Sequence, residues 1–115
     1  MKFKNKELEI VLKAIDKAVL KDIIVYNIQE VTPFFDYSII TTATSSRQGH
    51  AAVEYLRDAA EENNILVKGY ADSSDSSWFL VDLNNIIVHV FVNEERQRFN
   101  LDGLYYNLDK EILED

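Results

Sequence analysis

Near the start of the chain, apolar residues fall at Leu8, Val11, Leu12, Ile15, Ala18 and Val19, with Glu7, Glu9, Lys13, Asp16 and Lys17 between them. This three- and four-residue spacing predicts an amphipathic helix from about Lys6 to Lys21. Asp22 to Val31 is rich in β-branched residues and too short for a long helix, so it predicts a strand. Thr32-Pro33 ends that strand, because proline has no backbone N–H to donate. After a turn through Phe34-Phe35-Asp36, Tyr37 to Ala43 predicts a second strand, apolar on both faces at Ile39 and Ile40 and therefore internal to a sheet. Thr44-Ser45-Ser46 offers capping hydroxyls to a second helix, carried by Ala51, Ala52, Tyr55, Leu56, Ala59 and Ala60 as far as Asn63-Asn64.

Ile65 to Tyr70 reads as a short strand and Ala71 to Ser77 as a polar loop, whose short side chains compete for backbone hydrogen bonds. Trp78 to Leu83 and Ile86 to Val92 are aliphatic runs joined by Asn84-Asn85, a pair that tolerates positive φ and so predicts a hairpin. Asn93 offers a cap for Glu94-Glu95, opening a short helix or pair of turns towards Tyr106. Residues 107–115 predict one more helical turn through Leu108, Ile112 and Leu113, frayed at its charged end. The order implies an α/β (α+β) fold: a mixed sheet of about five strands with flanking helices.

Composition limits the rest. A chain of 115 residues, 47% of them hydrophobic, suits one domain over residues 1–115 and carries enough apolar surface to fold. With no cysteine there are no disulfides, thiolate zinc sites or thiol nucleophiles, as suits a reducing compartment. The basic start lacks the apolar run of a signal peptide, and no stretch is long enough to cross a bilayer, so a soluble cytoplasmic protein is expected. A net charge of −8 repels phosphate backbones; little direct nucleic-acid binding is expected, and a basic protein surface is the better partner.

Strand alternation puts Trp78, Leu80 and Asp82 on one face of the hairpin and Phe79, Val81 and Leu83 on the other, while Ile87, His89 and Phe91 share a parity. The aliphatic set is the natural core face. Taken singly, a lone tryptophan is ordinarily just half-buried, His89 a satisfied core histidine and Asp82 a strand end. Together on one face they suit a partner, because tryptophan is prominent among interface residues whose truncation costs ~2 kcal/mol or more.

Trp78-Phe79-Leu80-Val81-Asp82-Leu83, Val88-His89-Val90-Phe91, Glu94-Glu95-Arg96 and Asn100-Leu101-Asp102-Gly103-Leu104 together resemble the signature of the ribosomal silencing factor (Iojap-like) family. Asp36 to Gln48 is similar to that family's second block, so the resemblance runs from about Asp22 to Tyr106. Two features depart from the pattern. The family's Leu-Glu-x-Leu-Trp ending is here Leu101-Asp102-Gly103-Leu104-Tyr105, and the loop glycine it often carries is Asp72. Gly103 lowers local helix propensity by about 1 kcal/mol relative to alanine.

The resemblance implies a translational repressor, not an enzyme, with no catalytic residue, metal or cofactor. It would dock on a basic protein of the large ribosomal subunit, the one numbered fourteen, and block small-subunit joining under nutrient limitation. Trp78, Leu80 and Phe91 would then fill apolar contacts; Asp82, Glu94 and Glu95 would meet basic groups beside His89, and Arg96 would orient the acidic pair or reach the partner. Some family members are dimeric, which implies a homodimer. The family's fold also resembles nucleotidyltransferases, so the competing reading is an enzyme that cradles phosphate at the Thr44-Ser45-Ser46 junction. Phosphoryl transfer needs metal-holding carboxylates at fixed separation. Asp72 and Asp75, the nearest paired acids, read better as a solvated loop, and Ser46 as a helix cap. His50 and His89 lack the context of a hydrolase nucleophile.

Overall fold

The computed structural model describes residues 2–71 and 76–113. Helix α1 spans Lys6–Lys17 and is opened by Asn5, whose side-chain oxygen accepts the Leu8 N–H at 3.0 Å, satisfying one of the unpaired amides of the first turn. It stops about a turn short of the Lys21 that the spacing predicts. Ala18 closes the helix and Val19 turns left-handed at φ 56°, a costly conformation for a β-branched residue. Gln48 supports this turn, its Nε2 donating to the carbonyls of Ala18 and Val19 at 3.1 and 2.9 Å.

Strand β1 (Lys21–Asn27), strand β2 (Tyr37–Ala43) and helix α2 (Ser46–Glu62) follow. β1 ends four residues before Val31, because Asn27 starts a turn by accepting the Gln29 N–H on its side chain at 3.0 Å. The next strand, β3, is Gly69–Ala71 and not Ile65–Tyr70: Ile65 is drawn under the end of α2, where its N–H donates to the Ala60 carbonyl at 2.8 Å. Of the polar loop, residues 72–75 lie outside the described residues.

The hairpin forms as its sequence predicts, with β4 as Trp78–Leu83 and β5 as Ile86–Val92; Asn84 takes φ 65° at the turn. Beyond it, α3 (Glu95–Phe99) and α4 (Leu101–Leu104) are separated by Asn100, left-handed at φ 53°. Asn93 does not cap α3. It is itself left-handed at φ 48° and its side-chain amide donates to the Thr44 carbonyl at 3.2 Å, leaving Glu94 at the cap position.

The six-stranded sheet runs β3-β4-β5-β2-β1-β6, with β2 and β5 parallel and the other neighbours antiparallel. The sixth strand, β6 (Lys110–Ile112), replaces the helical turn expected in the tail. The long-range demand for hydrogen bonds at β1's free edge decides this, since Asn27 N–H reaches the Asp109 carbonyl and Leu113 N–H the Ile23 carbonyl, each at 2.9 Å. Asp115 and its neighbour at 114 lie outside the described residues.

α1 and α2 cover one sheet face. Leu8, Val11 and Ile15 of α1 and Val53 and Leu56 of α2 bury there against Val25, Ile39, Phe79, Val81, Leu83 and Val88. The other face carries a smaller core of Tyr26, Ile28, Ile40 and Phe91, half-roofed by Leu101, Tyr105 and Leu108. Among the described residues, no helix is long and apolar enough to cross a membrane.

Gly49 marks the closest approach of α2 to the sheet: a Cβ there would lie 2.3 Å from a ring carbon of Phe79, which is fully buried. Gly49→Ala should therefore destabilise the protein. Overpacking costs about 1–3 kcal/mol and opposes the ~1 kcal/mol gained in helix propensity. Urea denaturation checks this, and a raised midpoint would show that Phe79 has room to move.

Candidate protein-docking site

Cross-strand register assembles the site on the face opposite α1 and α2. Trp78 pairs with Phe91, Leu80 with His89 and Asp82 with Ile87, so six side chains from β4 and β5 stand on one surface. Trp78 lies on Phe91, with ring centroids 5.1 Å apart and 27° between planes, and Phe99 of α3 leans on it at 4.6 Å. The indole N–H donates to His89 Nδ1 at 3.2 Å, which requires a neutral imidazole carrying its proton on Nε2.

Exposure divides this set. Trp78, Leu80, Asp82 and Ile87 are half-buried and reach the surface. Phe91 is 0% exposed and His89 6%, which corrects the expectation that Phe91 fills a partner's apolar contacts. Its ring is the floor under Trp78, since Trp78 and Phe99 close over it and Ile40 of β2 shares its buried cluster. His89 sets the indole's orientation from below. The apolar patch a partner can reach comprises Trp78, Leu80 and Ile87, with Phe99 (44% exposed) at its rim.

Asp82 is the patch's charged member, and its Oδ1 is shielded from solvent with no hydrogen-bond partner among the described residues. A carboxylate oxygen so placed is costly until a donor or cation reaches it. The expected acidic pair is divided. Glu94 is exposed, while Glu95 accepts from Ser77 Oγ at 3.0 Å and pairs with Arg98 at 3.3 Å.

Arg96 neither orients that pair nor faces outward. Its Nε and one terminal nitrogen form a two-pronged bond to Asp102 at 2.9 and 3.1 Å, and its other terminal nitrogen donates to Thr42 Oγ1 at 3.0 Å and to the Asp22 carbonyl. Tyr26 donates its hydroxyl to Asp102 at 2.6 Å. Burial raises the Asp102 pKa, but the bonds from Arg96 and Tyr26 and the Arg96 charge outweigh it, holding the carboxyl below its ordinary 3.8. The Tyr26 hydroxyl is pushed above its ordinary value, first by burial and then by Asp102. This network ties α3 and α4 to β1 and β2, and so fixes where Phe99 sits beside Trp78.

Burial lowers His89 to about 4 from 6.5. Below pH 6.5 an unfolded His89 takes up a proton that the folded ring refuses until about 4, so stability should be level above that window and decline across it. His89→Gln should flatten the decline, as compared by urea midpoints at about pH 7 and pH 5. A slope as steep as the native one would place the acid sensitivity elsewhere.

The phosphate-cradle hydroxyls have other partners. The cap of α2 is Ser45 and not the expected Ser46: Ser45 Oγ accepts the Gln48 N–H at 3.1 Å, whereas Ser46 is already the first helical residue and its Oγ donates to the Ser76 carbonyl at 2.7 Å. Asp72 and Asp75 lie outside the described residues. His50 is on the outer side of α2, 3.6 Å from Glu54.

Sequence reasoning missed Phe99, Asp102 and Tyr26 as parts of the site's frame. Ile87 was within its reach, because it shares the parity of His89 and stands across from Asp82.

The family described as "Ribosomal silencing factor during starvation" matches residues 2–115. The chain is 34% identical over 98 residues to a Bacillus subtilis protein named ribosomal silencing factor RsfS, covering 85% of this chain and 83% of that one. A crystal structure of a Bacillus halodurans protein superposes with a TM-score of 0.79 at 27% identity, covering 96% of this chain and all of the other. A mouse protein named mitochondrial assembly of ribosomal large subunit protein 1 is 28% identical over 89 residues, 74% of this chain and 39% of its own length. Since the match extends over the helices, the hairpin and the Trp78 patch alike, this chain belongs to the ribosomal silencing factor family.

Proposed function

We propose that this chain is a translational repressor that acts by occupying a surface, not by catalysis. In the cytoplasm it docks through Trp78, Leu80, Asp82 and Ile87 on a basic protein of the large ribosomal subunit, the one numbered fourteen. So placed, it obstructs joining of the small subunit and lowers translation when nutrients are scarce. One observation carries this reading: an aromatic and aliphatic patch runs along β4 and β5 up to Asp82, whose carboxylate has an oxygen with no partner among the described residues, on a chain of net charge −8. Such a patch matches a cationic protein surface and repels bare phosphate.

The family's silencing name and the large-subunit name of the mouse relative support the choice of target. Glu94, exposed at the start of α3, adds charge at the rim. Arg96 and Phe91 support the patch from within. The test is co-sedimentation of the purified chain with isolated subunits. It should pellet with large subunits alone, and equal recovery with both, or with neither, would refute the reading.

A further inference from the structure

Gly69 of β3 stands directly across from Asp82 on the face that carries Trp78. Gly69 is the first residue of this three-residue edge strand, where a glycine packs no side chain, loses the most backbone freedom on folding and favours the strand less than other residues, so its presence calls for a reason. Conformation does not supply one, because no glycine among the described residues has positive φ. Crowding does not either: a Cβ built on Gly69 meets nothing within 4 Å. The reason left is approach from outside, and the open space adjoins a carboxylate with a shielded oxygen lacking a partner among the described residues.

We infer that Gly69 keeps open a niche through which a lysine or arginine of the docked protein reaches Asp82. Leu80, two residues along β4, and Ile87, directly across from Asp82 on β5, flank that path, and their apolar surfaces suit the hydrocarbon stem of either side chain. A side chain at position 69 would fill the space that the stem crosses. The inference rests on the docking reading above and adds the residue that controls access to its charged contact.

Gly69→Val separates the two. Valine favours strands, so the thermal midpoint should hold or rise, while affinity for isolated large subunits should fall about tenfold or more, the scale of a severed interfacial charge pair. Asp82→Asn should weaken binding similarly. The double variant should bind no worse than the weaker single one, because the same contact is lost in each. If valine lowers the midpoint, Gly69→Ala, whose one methyl enters open space, carries the same comparison with a smaller loss.

Native-strength binding by the position-69 variants, or fully additive losses with Asp82→Asn, overturns the niche; impaired binding by Trp78→Ala in the same assay would leave the docking face standing. A native chain that fails to bind large subunits overturns both.

Discussion

Trp78→Ala should weaken association with large ribosomal subunits by about thirtyfold or more, the ~2 kcal/mol that defines a dominant interface residue. Size, position and fixed orientation all point to this side chain. It is the largest surface-reaching group on the patch, it packs on both Phe91 and Phe99, and its N–H is held by His89. A tryptophan held this way loses little rotamer freedom on binding, so more of its contact energy appears as affinity. The substitution also removes cover from Phe91, and the folded state should lose some stability. Urea midpoints measured beside the binding curve separate these effects. Trp78→Phe is the control: it retains an aromatic ring on Phe91 but cannot donate to His89. If Trp78→Ala binds like the native chain while remaining folded, the docking face lies elsewhere.

Arg96→Met should produce the largest loss of stability, on the order of 2 kcal/mol. Breaking a fully buried ion pair costs more, but the Asp102 side chain is 28% exposed against 12% for Arg96, and solvent moderates the penalty. The variant strands the carboxylate with Tyr26 alone and frees the links to Thr42 and Asp22. The pH dependence identifies the cause. Asp102 titrates below the ordinary carboxylate range when folded, so its stabilisation is fully present above that range and is lost as pH falls through the folded value. Native and Arg96→Met midpoints should therefore differ most near neutrality and converge in strong acid. A constant gap would mean that Arg96 stabilises through packing and not through its charge.

Features set by near neighbours were legible in the sequence. The spacing of Leu8, Val11 and Ile15 located α1, the hydroxyl run from Thr44 to Ser46 marked the start of α2 although Ser45 and not Ser46 caps it, and Asn84 turned the hairpin in the register that puts Trp78, Leu80 and Asp82 together. What escaped was set by distant partners. Leu108, Ile112 and Leu113 fit a helical period, yet β1's open edge, more than eighty residues away in sequence, draws residues 110–112 into a strand. Arg96 looked like a partner contact because its acceptors on β1 and β2 and the left-handed break at Asn100 that returns Asp102 to it leave no periodic trace. The same holds for Phe91, whose parity was correct but whose burial depends on where α3 sits.

The central claim is obstruction by occupancy. It is tested most directly by mixing isolated large and small subunits with and without a molar excess of the purified chain and resolving the products by velocity sedimentation. The expected result is that joined particles diminish in proportion to added protein, which travels with the unjoined large subunits. Full joining with the chain bound to large subunits would contradict obstruction, whatever the affinity of the patch.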